Sequence, residues 1–98
     1  MTRQKLSDTE IQAGLAARPG WTLVAGKLHR EYKFKNFIRA FGFMTSVALV
    51  AERMNHHPEW SNVYGTVRVD LTTHDVGGIS QLDFTLAEKM DALVADKE

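Results

Sequence analysis

The chain is expected to fold as an α+β domain, a four-stranded antiparallel sheet with three helices packed on one face, in the order α-β-β-α-β-β-α. Three observations predict this. Strand-like alternation comes in two pairs of segments, each pair joined by a short turn, which makes hairpins and therefore antiparallel neighbours. Three further segments carry apolar residues at helical spacing, each with a capping signal at its start. No strand is joined to the next by a helix of crossover length within either pair, so one face of the sheet is left free of helices.

Ser7 and Glu10 stand at capping-box spacing, with Leu6 and Ile11 placed as a hydrophobic staple, so a short helix begins there. Pro19-Gly20 ends it by Arg18. Residues 21–24 and 28–34 read as two strands around the turn Ala25-Gly26-Lys27. In the second, Leu28, Tyr32 and Phe34 share one face while His29, Glu31 and Lys33 share the other, and Arg30 breaks the apolar side. Residues 36–54 form the long helix, about 28 Å at 1.5 Å per residue, with Asn36 as its N-cap.

The apolar residues of this helix fall in two rows. Phe37, Phe41, Met44, Ala48 and Ala51 make one, and Ala40, Phe43, Val47, Val50 and Met54 the other, leaving a polar line through Arg39, Gly42, Ser46 and Arg53. One row meets the sheet and the second is most economically buried against another subunit, so an oligomer is expected. Pro58 stops the helix, and residues 60–63 and 67–72 form a second hairpin turning near Tyr64-Gly65. Residues 73–78 are a loop. Ser80 and Asp83 then stand near capping-box spacing, and Leu82, Leu86, Met90 and Leu93 supply the stripe of a last helix.

Composition narrows the function. The 98 residues are 44% hydrophobic, with twelve basic and twelve acidic side chains interspersed, and read as one domain over residues 1–98. No basic stripe offers itself to a phosphate backbone, so direct nucleic-acid binding is not expected and a small, roughly neutral ligand fits better. The absence of cysteine removes disulfides and thiolate metal sites. Residues 37–54, the longest apolar-rich stretch, are interrupted by Arg39, Glu52 and Arg53 and make a poor membrane span, and no apolar signal region follows the N-terminus. A soluble cytoplasmic protein is the expectation.

Three of the four histidines lie in two short segments, His56-His57-Pro58-Glu59-Trp60 and Thr72-Thr73-His74-Asp75. Imidazole, with an unperturbed pKa of about 6.5, both gives and takes a proton near neutrality. Any single histidine is more often a surface or satisfied core residue, which suits His29 on the polar face of its strand. Three in two loops allow two functional readings. With Glu52 or Asp75 they could bind zinc, although adjacent residues on an extended segment point opposite ways and no pair at i, i+4 occurs. Metal-free general acid–base catalysis is the alternative, and nucleophilic catalysis has neither a cysteine nor a serine elbow to support it. Trp60 can stack on a flat ligand or pack in the core, and Glu52 can orient a histidine or be merely solvated. Thr72 and Thr73 can offer hydroxyls or only β propensity, and Asp83 reads as a first-turn helix residue favoured by the macrodipole. Histidines in loops are expected to add little to the core.

At these residues the chain resembles the pterin-4a-carbinolamine dehydratase family. The matching run is Ala40-Phe41-Gly42-Phe43-Met44-Thr45, Ala51-Glu52, His56-His57-Pro58-Glu59-Trp60, Asn62-Val63-Tyr64 and Val67, then Leu71, Thr73-His74, Gly78 and Asp83, within a likeness extending from about residue 21 to 86. Some relatives carry aspartate where Asn55 stands and glutamate where Asp75 stands. The resemblance implies elimination of water from a 4a-hydroxytetrahydropterin to give quinonoid dihydropterin, in support of tetrahydropterin recycling. It also implies His56, His57 and His74 as the catalytic set, with Glu52, Asn55, Trp60, Thr72 and Thr73 near the pterin. Neither metal nor other cofactor is expected. Homodimers or homotetramers are implied as well. For some animal members a second role is implied, as a protein-binding dimerisation cofactor of a transcription factor.

Overall fold

The structure, a computed structural model, describes residues 3–97. Its elements run α1 (Asp8–Ala16), β1 (Thr22–Val24), β2 (Lys27–Lys33), α2 (Phe37–Met54), β3 (Glu59–Val63), β4 (Thr66–Leu71), a short 3-10 helix (His74–Val76) and α3 (Gln81–Lys97). The sheet has the order β1-β2-β4-β3 with every neighbouring pair antiparallel, the predicted architecture. Its central pairing joins β2 to β4, with Leu28 opposite Leu71 and Tyr32 opposite Val67.

Caps appear where the sequence placed them. The Ser7 hydroxyl accepts from the Glu10 amide while the Glu10 carboxylate accepts from the Ser7 amide, a complete capping box. Asn36 caps α2 by accepting from the Arg39 amide at 2.9 Å. The first hairpin differs by one residue from expectation: Val24 pairs with Lys27, so the turn is Ala25-Gly26 alone, both with positive φ, and Lys27 opens the strand. At the second hairpin Gly65 is required, because a Cβ there would stand 2.5 Å from the Phe34 carbonyl oxygen.

Alternation divides the sheet. Leu28, Tyr32, Val67, Val69 and Leu71 face the helices and are buried with Phe43, Val47, Phe84, Leu86 and Met90, while Lys27, His29, Glu31, Arg68 and Asp70 occupy the other face. Of the two rows on α2, Ala40, Phe43 and Val47 are buried, joined by Ala51 from the other row. Phe37, Ile38, Phe41 and Leu49 remain largely exposed.

Arg30, the residue that broke the apolar side of β2, has a local explanation. Its guanidinium lies over the Tyr32 ring and donates to Asp91 of α3 at 3.0 Å. Asp91 also accepts from the Tyr32 hydroxyl and from the Trp21 indole N–H, so one half-buried carboxylate gathers three side chains of the β1–β2 end onto α3. Trp21 serves this cluster, buried just before β1 begins. Among the described residues no helix is long and apolar enough to cross a membrane.

Burial first, and then the Asp91 carboxylate that accepts its proton, push the Tyr32 hydroxyl well above the ordinary phenol range. A raised folded-state pKa leaves stability intact below the unfolded value of about 10, and above it the unfolded chain releases a proton that the native state retains. Stability is therefore expected to fall with rising alkaline pH by about 1.4 kcal/mol per pH unit from this group. Denaturant unfolding of native protein and of Tyr32→Phe across the alkaline range checks this; equal slopes in the two would refute it.

Candidate active site

Three imidazoles meet three carboxylates, and each meeting uses Nε2. His56 Nε2 lies 2.6 Å from Asp83 Oδ1, His57 Nε2 lies 2.9 Å from Glu52 Oε1, and His74 Nε2 lies 3.0 Å from Glu59 Oε2. An ionised carboxylate only accepts, so each pairing holds the proton on Nε2 and leaves Nδ1 as the nitrogen able to take or give another.

The end of α2 sets up the first two. Asn55 adopts the left-handed conformation (φ 52°, ψ 43°), its amide donates to the Glu52 carbonyl, and the His56 amide donates back to Ala51, a Schellman closure of the helix. The chain then continues extended into Pro58, and neighbouring side chains diverge. His56 turns inward with 5% of its surface exposed, whereas His57 stays in solvent beside Glu52, one turn back on the helix.

Asp83 receives the inward histidine. Fully buried, it accepts from His56 on one oxygen, and on the other from the Thr73 hydroxyl at 2.8 Å and the Ser80 amide at 2.9 Å. Thr73 spends its only hydroxyl hydrogen on Asp83, so the Ser80 hydroxyl, 2.7 Å away, must donate to Thr73. Ser80 in turn accepts from the Leu82 amide at the start of α3. Both Asp83 oxygens and the Thr73 and Ser80 hydroxyls have partners, as a low-dielectric site demands.

Two bridges thus join the histidine segments. Asp83 links His56 to Thr73, the neighbour of His74, and Glu59 reaches His74 from β3. His74 itself stands exposed on the 3-10 turn, which the Thr73 and Gly78 bridge closes. Glu59 is doubly held, for Lys27 donates to its other oxygen. That hydrogen bond is the main cause that keeps the Glu59 carboxyl below its usual range and the Lys27 ammonium above its own.

The remaining sequence-predicted residues divide. Glu52 orients His57. Asn55 forms the helix cap and offers its carbonyl to Arg3. Trp60 is half-buried on the helix-facing side, packed against the core, and the Thr72 hydroxyl donates to Gly78. The Thr73 hydroxyl is committed inward. One expectation is corrected: His56 belongs to a buried hydrogen-bonded cluster and so contributes to the fold. Glu59 and the histidine-holding part of Asp83 escaped the sequence reading. Asp83 was visible only as a first-turn acid, and the one signal for Glu59 was its place in the segment from His56 to Trp60, two residues past His57. His57 and His74 hold separate carboxylates, and among the described residues no three His, Asp or Glu side chains converge as a metal site.

Comparison with known proteins shows the family. Residues 4–93 match the family model of pterin 4 alpha carbinolamine dehydratase. A protein of Solibacter usitatus that carries the name pterin-4-alpha-carbinolamine dehydratase is 66% identical, over 93% of this chain and 96% of its own. One of Prochlorococcus marinus with the same name is 54% identical over 95% and 97%. The crystal structure of a transcriptional coactivator/pterin dehydratase from Brucella melitensis superposes with a TM-score of 0.89 at 44% identity, covering 92% of this chain and 98% of that one. With its own histidines held by carboxylates on a fold so closely shared, the chain belongs to the pterin 4 alpha carbinolamine dehydratase family.

Proposed function

We propose that this protein is a hydro-lyase that removes water from a 4a-hydroxytetrahydropterin, in support of tetrahydropterin recycling in the cytoplasm. The proton on N5 leaves to a base, its electron pair forms the N5–C4a double bond, and the C4a–O bond breaks as an acid protonates the departing hydroxyl. The products are quinonoid dihydropterin and water. The observation that carries this reading is the common construction of His56, His57 and His74, each held at Nε2 by its own carboxylate. A neutral imidazole held that way presents Nδ1 as base, and its doubly protonated form presents the same nitrogen as acid. Glu52, Asn55, Trp60 and Thr72 surround the pterin in this proposal, with Thr73 acting through Asp83.

Turnover of chemically generated 4a-hydroxytetrahydropterin tests the reading. His74→Ala and His56→Ala are expected to lower kcat roughly 10–10³-fold, and His57→Ala to act more on KM. His56→Ala should also cost about 1–3 kcal/mol of stability, since Asp83 loses a buried donor. Near-normal turnover in both His56→Ala and His74→Ala refutes the mechanism.

Because the imidazoles engage separate carboxylates, we place no metal in the reaction. Activity is expected to survive dialysis against a chelator. Complete loss, restored by zinc, would overturn this.

We further propose a homodimer or homotetramer joined through the uncovered row of α2, where Phe37 is 47% and Phe41 is 54% exposed, with Ile38 and Leu49 exposed beside it. Sedimentation at micromolar concentration should give a dimer or tetramer; a folded monomer would refute it. The same row supports a second reading, a protein-binding role as cofactor of a transcription factor; the Brucella melitensis relative carries the name transcriptional coactivator as well as pterin dehydratase.

A further inference from the structure

On the open face of the sheet, away from the helices, charged side chains form a chain of contacts that ends on His74. Lys27 opens β2 and Glu59 opens β3, while β4 ends between them and leads through Thr72 and Thr73 to His74. Three strand ends therefore meet at one end of the sheet. Lys27 Nζ donates to Glu59 Oε1 at 2.5 Å, and Glu59 Oε2 lies 3.0 Å from His74 Nε2. Asp70, opposite Glu59 in register, adds attraction for the Lys27 ammonium and is itself paired with His29 Nδ1 at 2.8 Å.

A glutamate facing one exposed histidine is poorly fixed, because its side chain keeps its rotamers and water competes for the bond. Here both carboxylate oxygens are taken, one by Lys27 and the other by His74, which fixes the group at two points. Lys27 is a strand residue immediately after a two-residue turn, so its own backbone is set by the ladder.

We propose that Lys27 is a positioning residue for the reaction: it anchors Glu59 by one oxygen so that the other holds His74 at Nε2 and leaves Nδ1 for the substrate. This rests on the reading of His74 as a catalytic residue. Lys27 touches no reacting atom. Its positive charge also offsets the negative charge of Glu59 beside the His74 ring. The neighbouring charges at this corner are Asp70 and His29 on the sheet and the Arg3–Asp75 pair, 3.5 Å apart, on the turn.

The test compares Lys27→Met, Lys27→Arg and, as a control on the same face, Arg68→Met, which breaks the pair with Glu31. Steady-state kinetics with 4a-hydroxytetrahydropterin and an NMR titration of the His74 ring are read for each. Lys27→Met is expected to lose about tenfold in kcat with KM nearly unchanged, and its His74 titration should move to higher pH. Lys27→Arg should restore both, and Arg68→Met should match the native protein. An unchanged kcat with an unmoved titration in Lys27→Met overturns the proposal, as does a loss that Lys27→Arg shares in full. Absence of turnover in the native protein would instead overturn the dehydratase reading, while the His74 titration still reports the Lys27 anchor by itself.

Discussion

A carboxylate buried as completely as that of Asp83 is tolerated only when donors surround it, and those donors come from parts of the chain far apart in sequence. His56 arrives from the end of α2, Thr73 from the end of β4 and Ser80 from the start of α3. Satisfying one anion therefore fixes where three elements stop or start. It also fixes how far apart the two histidine segments lie, since each contributes a donor to that carboxylate or adjoins one. Asp91, eight residues and about 12 Å further along α3, repeats the device for Trp21, Arg30 and Tyr32 at the opposite end of the first hairpin. The helix is pinned to the sheet by two anions, with apolar packing between them.

The left-handed Asn55 is what separates the two adjacent histidines. A helix that simply frayed would leave His56 and His57 in similar solvent. The Schellman closure turns the chain at a defined angle, so that one ring reaches Asp83 and the other stays beside Glu52. An asparagine suits the position because its short polar side chain tolerates positive φ.

Element order, hairpins and helix starts were legible because they depend on local rules: alternation for β2 and β4, capping for Ser7 and Asn36. What local rules missed was set by distant partners. Strand β1 begins one residue later than expected because Trp21 turns in to Asp91, and β3 begins one residue earlier because Glu59 joins the ladder opposite Asp70. Arg30 looks like a flaw in its strand until α3 is in place. The burial of His56 has no trace in its neighbours, since the acid that receives it lies 27 residues away. Asp83 was read for its position on a helix, a correct but incomplete account, because a first-turn aspartate with one oxygen on the Ser80 amide still has a second oxygen to spend. The uncovered row of α2, by contrast, could be seen in the sequence as one apolar row too many.

The position of β4 between β2 and β3 bears on how the molecule acquires its activity. The central ladder sets Leu28 against Leu71, so the chain must close a loop holding all of α2 and β3 before its two middle strands can join. Such distant pairing is the slow part of folding, because its entropy is spent before the contacts reward it. Both bridges between the histidine segments lie beyond this step, for Thr73 and His74 follow directly from β4. The proposed proton-transfer site is thus assembled only with the central ladder, and a chain with its hairpins and helices already formed would still lack both bridges until the middle of its sheet had zipped.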